Sequence, residues 1–153
     1  NINSIYLGSK DKLIDINYIV THKGQRSNSN INVKGALQGK ARKAFKGTLD
    51  FKTGASKSVG AEDEYCMILS KEARAKAMPV LLCAEDDVSG EHAASSGRID
   101  ENKLFYLMSR GLSYDEAKIV IVRAAFNPII DSIGDNDVIE EILQEVDRGL
   151  KNE

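Results

Sequence analysis

The chain has 153 residues, a formal net charge of −2 and a sequence pI of about 5.8. The length suits one domain, or one domain with a small appendage, and the charge excludes an electrostatically driven nucleic-acid binder, which needs a clustered excess of Lys and Arg. No apolar run approaches the roughly 18 residues of a membrane span and no secretory signal is legible, so the expectation is a cytoplasmic protein with neither nucleic acid nor membrane as partner.

The chain opens on Asn1, with strand-like residues at once, and reads as a portion of a longer protein. In "KLIDINYIVTH", Ile14, Ile16, Tyr18 and Val20 alternate with Leu13, Asp15, Asn17, Ile19 and Thr21. One face is wholly apolar, which predicts a strand covering a core. "NINVKGALQG", "FKGTLDFKTGA", "YCMILSKEARAKA" and "MPVLLCAEDDV" follow, each a short apolar pulse bounded by Gly, Ser or charge. Such pulses suit a sandwich, a barrel or a β-solenoid. Hairpin dipeptides are scarce in this region, and stacked parallel coils do not need them. Small residues such as Ala41, Ala55, Ala73, Ala75 and Ala77 suit tight corners between coils.

From Asp100 onward the period is helical. Asp100 is an N-cap candidate for a helix over 101–110, with Gly111 as its C′ residue. Ser113 and Glu116 make a capping box for the next helix, which Pro128 is expected to interrupt or bend. "SIGD" is a break. A last helix starts near Asp137 and carries Ile139, Ile142, Leu143, Val146 and Leu150 on one stripe. The chain therefore divides into a β region, 1–99, and a helical region, 100–153. The helices are expected to cap the open end of the β region, where coils would otherwise expose strand edges and core.

Motifs of catalysis are missing: the sequence holds no GxSxG, Walker A or GxGxxG pattern, so neither enzyme activity nor direct nucleotide binding is expected. The two cysteines, Cys66 and Cys83, form no CxxC and read as free, small core residues. Of the two histidines, His22 ends an alternating strand and reads as a surface or turn residue. His92 is the better candidate. Glu85, Asp86, Asp87 and Glu91 crowd it in sequence, Cys83 lies nine residues earlier, and imidazole, carboxylate and thiolate are together a ligand set for iron or zinc. Glu91 and His92 are adjacent, so on a strand they point to opposite faces. In "KLFYLMSRG", Leu104, Phe105, Leu107 and Met108 form an apolar band flanked by Tyr106 and Arg110. All of it could pack inside a bundle, or its aromatic edge and Arg110 could meet another protein.

The stretch "EDDVSGEHAASSGRIDENKLFYLMSRGLSYDEAK" resembles the signature of the SufB/SufD family of iron–sulfur cluster assembly proteins. The residues that carry it are Asp86–Val88, His92, Ala93, Gly97, Ile99, Asp100, Leu104–Leu107, Ser109–Gly111, Glu116 and Ala117. "MILSKEARAKAMPVLL", with Pro79, and "HKGQRSNSNINVKGAL" extend the resemblance over nearly the whole chain. It implies a mainly β fold with C-terminal helices: a right-handed parallel β-helix, or solenoid, followed by a small α-helical domain. It also implies that this is the C-terminal portion of such a protein, paired through its β-helix as a homodimer or SufB/SufD heterodimer. The C-terminal helices would bind a SufC-type ABC ATPase, with Phe105, Tyr106, Arg110 and Gly111 at the docking surface. Iron or a nascent iron–sulfur cluster would sit transiently at the dimer interface, with His92 and Glu91 as metal-site residues. Many SufD-type chains carry Cys where this one has Gly90, and SufB-type chains carry a further Glu where it has Ala93. The SufB cysteine falls near Glu64, so no such role passes to Cys66. The match leans towards SufD or a minimal SufB/D-like chain.

Three functions are thus in contention. One is a non-catalytic scaffold for iron–sulfur assembly. Another is a purely structural solenoid interaction module with His92 as a hydrogen-bonded turn residue. The third is a metal enzyme on a cupin-like barrel, for which two separated histidines are poor material.

Overall fold

A computed structural model describes residues 1–151. Asn152 and Glu153, which the sequence reading includes in the helical region, lie outside the described residues.

Among the described residues, eight strands precede three helices. The strands are β1 (Ile2–Gly8), β2 (Leu13–His22), β3 (Asn28–Leu37), β4 (Arg42–Phe51), β5 (Ser58–Ile68), β6 (Arg74–Ala77), β7 (Val80–Cys83) and β8 (Val88–Arg98). One sheet has the order β1-β3-β5-β8; in the other, β2 pairs β4, which pairs both β6 and β7. Every pairing is parallel. Each turn contributes a strand to both sheets, so the chain climbs as a β-solenoid of about three turns. The expected solenoid is therefore present, and the barrel and sandwich readings fall.

Register decides what fills the interior. Ile14, Ile16, Tyr18 and Val20 of β2 stand over Lys43, Phe45, Gly47 and Leu49 of β4. The apolar face read from "KLIDINYIVTH" is the inward face. Phe45, Leu49 and Phe51 from this sheet and Ile31, Val33 and Leu37 from the other are fully buried. Pro79 marks the gap between β6 and β7: Ala77 pairs Phe45 and Val80 pairs Thr48, with Met78 and Pro79 between. Proline has no N–H to give the ladder, and the strand breaks there.

The helices α1 (Glu101–Ser109), α2 (Tyr114–Ile130) and α3 (Asn136–Lys151) follow the sequence signals closely. The Asp100 side chain accepts from the N–H groups of Asn102 and Lys103. Gly111 has φ +100°, a conformation that favours glycine at C′. Ser113 and Glu116 form the reciprocal capping box, and α2 runs on through Pro128 to Ile130. The expected interruption at Pro128 does not end the helix.

The helices do not cap the end of the solenoid. They lie on the outer flank of the β1-β3-β5-β8 sheet, where Ile5, Leu7, Ala36, Tyr65 and Met67 meet Val122, Phe126, Ile130, Val146 and Leu150. Those strand residues face outward, opposite to the core positions on the same strands. A sheet apolar on both faces must be covered on both, and this requirement overrides the expected end-cap. The edge of β8 stays open, with residues 91–96 all exposed.

Candidate functional site

The interior of the β1-β3-β5-β8 sheet changes character as it rises. One inward column runs Ile2, Ile31, Glu62, His92 in consecutive register pairs. The next runs Ser4, Val33, Glu64, Ala94, and the one after it Tyr6, Gly35, Cys66, Ser96. In the first column isoleucine in the two lower turns gives way to Glu62 and His92 above, and in the second Val33 is followed by Glu64. Glu62, Glu64 and Lys43 are all buried.

Glu64 is the better satisfied carboxylate. Lys43 Nζ donates to its Oε1 at 2.7 Å, and the Tyr6 hydroxyl donates to the same oxygen at 2.8 Å. Tyr6 reaches it across an intervening turn because position 35 is glycine: a Cβ there would lie 1.9 Å from the ring. Burial pushes the Tyr6 phenol well above its ordinary range, and the neighbouring Cys66 and Glu64 push it the same way. Burial likewise raises the Cys66 thiol. A cavity of about 230 Å³ opens beside Lys43 and Glu64 under Ala94–Ser96.

Glu62 is the opposite case. Both carboxylate oxygens are buried without a hydrogen-bond partner. The group presses against Gly47, where a Cβ would come within 2.2 Å of its Cδ. Burial raises the Glu62 carboxyl above the usual carboxylate range; His92 opposes that shift and Glu64 adds to it.

His92 is exposed on β8, on the lumen side, in register with Glu62. Glu91 pairs Ala61 and therefore points to the other face, as the alternation of a strand requires. Asp86 and Asp87 lie in the turn before β8, where the Asp87 carboxylate accepts from the Ser56 hydroxyl. Among the described residues, no three His, Cys, Asp or Glu side chains converge on a point that could hold a metal. The chain can supply part of a ligand set. His92, with an unpartnered carboxylate one rung below it, fits the imidazole and oxygen donors that iron accepts.

His22 is not a surface residue. It is buried, stacked on Phe51 with ring centroids 4.5 Å apart, and its two ring nitrogens meet Ser27 Oγ at 2.5 Å and Ser29 Oγ at 2.8 Å. Burial lowers its pKa. Cys83 also departs from expectation: both thiols are free, but Cys83 is exposed while Cys66 is buried.

On α1 only Leu104 is buried; Phe105 is 73% and Tyr106 58% exposed. Arg110 stacks on Tyr106, its guanidinium carbon 5.3 Å from the ring centroid. These three form one outward patch beside a groove of about 660 Å³ that Met67, Leu107 and Val120 help to line. Gly111 presents no side chain to it and serves the turn. Acidic neighbours and motif order locate His92 in the sequence, and helical period locates the α1 patch. They miss Tyr6, Lys43, Glu62 and Glu64, whose partners lie one or two turns away; the one local hint is Glu62 and Glu64 at alternate, inward positions of a strand.

These features define a parallel β-solenoid with a polar upper lumen, an open edge strand and a helical flank. Residues 1–125 match the family "SUF system FeS cluster assembly, SufBD core domain". The chain is 30% identical to the iron–sulfur cluster assembly protein SufD of Bacillus subtilis over 97% of its own length, and 28% identical to SufD of Escherichia coli over 97%. A SufBD family protein of Mycobacterium bovis is 32% identical over 82% of the chain and 15% of its own length. The chain belongs to the SufB/SufD family of iron–sulfur cluster assembly proteins. It spans about a third of the SufD relatives, 34% and 35% of their lengths. No helix among the described residues is long and apolar enough to cross a membrane.

Proposed function

We propose that the chain acts in SUF iron–sulfur cluster assembly as part of a non-catalytic scaffold subunit. In this reading His92 holds iron or a nascent cluster as cargo, and the α1 surface receives a SufC-type ABC ATPase. The observation that carries it is His92 itself, lumen-facing on the last strand of the solenoid, whose outer edge has no strand partner among the described residues. An edge strand offers free main-chain groups to a second solenoid, which supports pairing with another copy or with a related subunit and would bring His92 to their junction. Glu91, on the outer face, could join the site only from across such a junction. Exposure of Phe105 and Tyr106, with Arg110 stacked beside them, supports docking: aromatic and Arg side chains are common anchors of interfaces. Nucleotide-driven closure of the ATPase would then pull on the helices and reshape the joined solenoids.

Anaerobic reconstitution with iron and sulfide tests the cargo role. Wild type should load cluster, and His92→Ala should lose most of it; equal loading would leave only a structural interaction module. Co-purification of the full-length protein with the ATPase tests the docking role. Arg110→Glu should reduce capture at least tenfold, and unchanged capture removes α1 from the interface.

A further inference from the structure

We propose that Glu62 is the carboxylate that shares a divalent cation with His92, making the top two turns of the solenoid a two-residue half-site for Fe2+. The inference rests on the reading of His92 as the residue that faces iron, and it replaces Glu91 with a residue from one turn below.

Three observations carry it. First, Glu62 and His92 are direct register partners on adjacent parallel strands, so their side chains leave the same face of the sheet, about 4.8 Å apart along the hydrogen-bonding direction. Glu91 leaves the opposite face. Second, Glu62 is 2% exposed and neither carboxylate oxygen has a partner. A buried, unpartnered carboxylate is costly, and the buried Lys43 is already bound to Glu64. Third, the fold keeps room for this side chain. Gly47 leaves a recess across the lumen in which any Cβ would collide with the Glu62 carboxylate.

The column beneath explains why this is unlike an ordinary core position. Ile2 and Ile31 occupy the same column in the two lower turns, so an aliphatic side chain suits the column, and a carboxylate appears only directly below the histidine. A cation held between Glu62 and His92 would give the carboxylate the partner it lacks. The site is reached from the open side of β8, where His92 is exposed. One imidazole and one carboxylate suit Fe2+ in its divalent, oxygen- and nitrogen-ligated form; water fills the remaining positions.

The experiment is anaerobic titration of the full-length, metal-free protein with Fe2+ alone, with Co2+ as a spectroscopic probe of ligation. Wild type, Glu62→Gln, Glu91→Gln and His92→Ala are compared, and urea unfolding of each metal-free variant is followed in parallel. Expected are a tenfold or greater loss of Fe2+ affinity in both Glu62→Gln and His92→Ala, and affinity within twofold of wild type in Glu91→Gln. The metal-free Glu62→Gln protein should be at least as resistant to urea as wild type, because an unpartnered charge has been removed. Wild-type affinity in Glu62→Gln with weakened binding in His92→Ala would overturn the role of Glu62 and leave that of His92 standing. Wild-type affinity in both would overturn the His92 reading and this inference together. Loss of urea resistance in metal-free Glu62→Gln would mark a structural carboxyl and also overturn the proposal.

Discussion

Replacing Lys43 by methionine isolates the buried ion pair. Lys43 and Glu64 have side chains 0% and 1% exposed, with Nζ 2.7 Å from the carboxylate oxygen. At an effective dielectric constant of about 20, two unit charges at that separation attract by about 6 kcal/mol. Desolvation of both ions takes back much of this, so the pair adds little net stability over a well-packed apolar pair. Removing one partner is a different matter. Methionine fills the aliphatic volume of Lys43 but leaves the Glu64 carboxylate buried with only the Tyr6 hydroxyl. The expected loss is about 3–5 kcal/mol, a large share of the 5–15 kcal/mol that typically holds a domain together. Urea unfolding monitored by far-UV circular dichroism measures it for wild type, Lys43→Met, Glu64→Gln and the double variant. The double variant should recover at least half of what Lys43→Met loses, because no unpaired charge then remains. A Lys43→Met loss within about 1 kcal/mol, the range of an exposed pair, would refute the reasoning. So would a double variant no more stable than the single one.

Two further outcomes follow from the packing. Gly35→Ala places a Cβ 1.9 Å from the Tyr6 ring and should cost about 1–3 kcal/mol in urea unfolding, with part returned by adding Tyr6→Leu; a neutral Gly35→Ala would mean that Tyr6 does not cross that turn. His22 has a pKa lowered in the folded state by burial, so between that value and its ordinary 6.5 the unfolded chain binds more protons. Its contribution is fully present above about pH 6.5 and is lost as pH falls through the lowered value, with a slope of at most about 1.4 kcal/mol per pH unit. The difference between wild type and His22→Gln across that window should carry the slope, and a pH-independent difference would contradict it.

Local signals explain how far the sequence could be read. The α1 N-cap at Asp100, the Gly111 turn and the Ser113–Glu116 capping box use partners within three residues of one another. The β2 inward face follows from strict alternation. Pro128 misled only as a helix stop, because α2 continues through it with Phe126, Ile129 and Ile130 buried on both sides. His22 misled for a related reason. Its strand is alternating, so its face was legible, but the serines that satisfy its ring nitrogens stand in the next coil.

What the sequence determined by itself is the three helices, most of the strands though not β8, the inward face of β2 and the family to which they belong, because period, capping and motif order are properties of neighbouring residues. Only the tertiary structure decided which turn stands on which. That stacking put the helices on the flank and left β8 open. It gave Lys43 and Tyr6 to Glu64, and it set Glu62 under His92. Parallel coils join residues about thirty positions apart, and a one-residue change of register would turn each inward side chain to the other face.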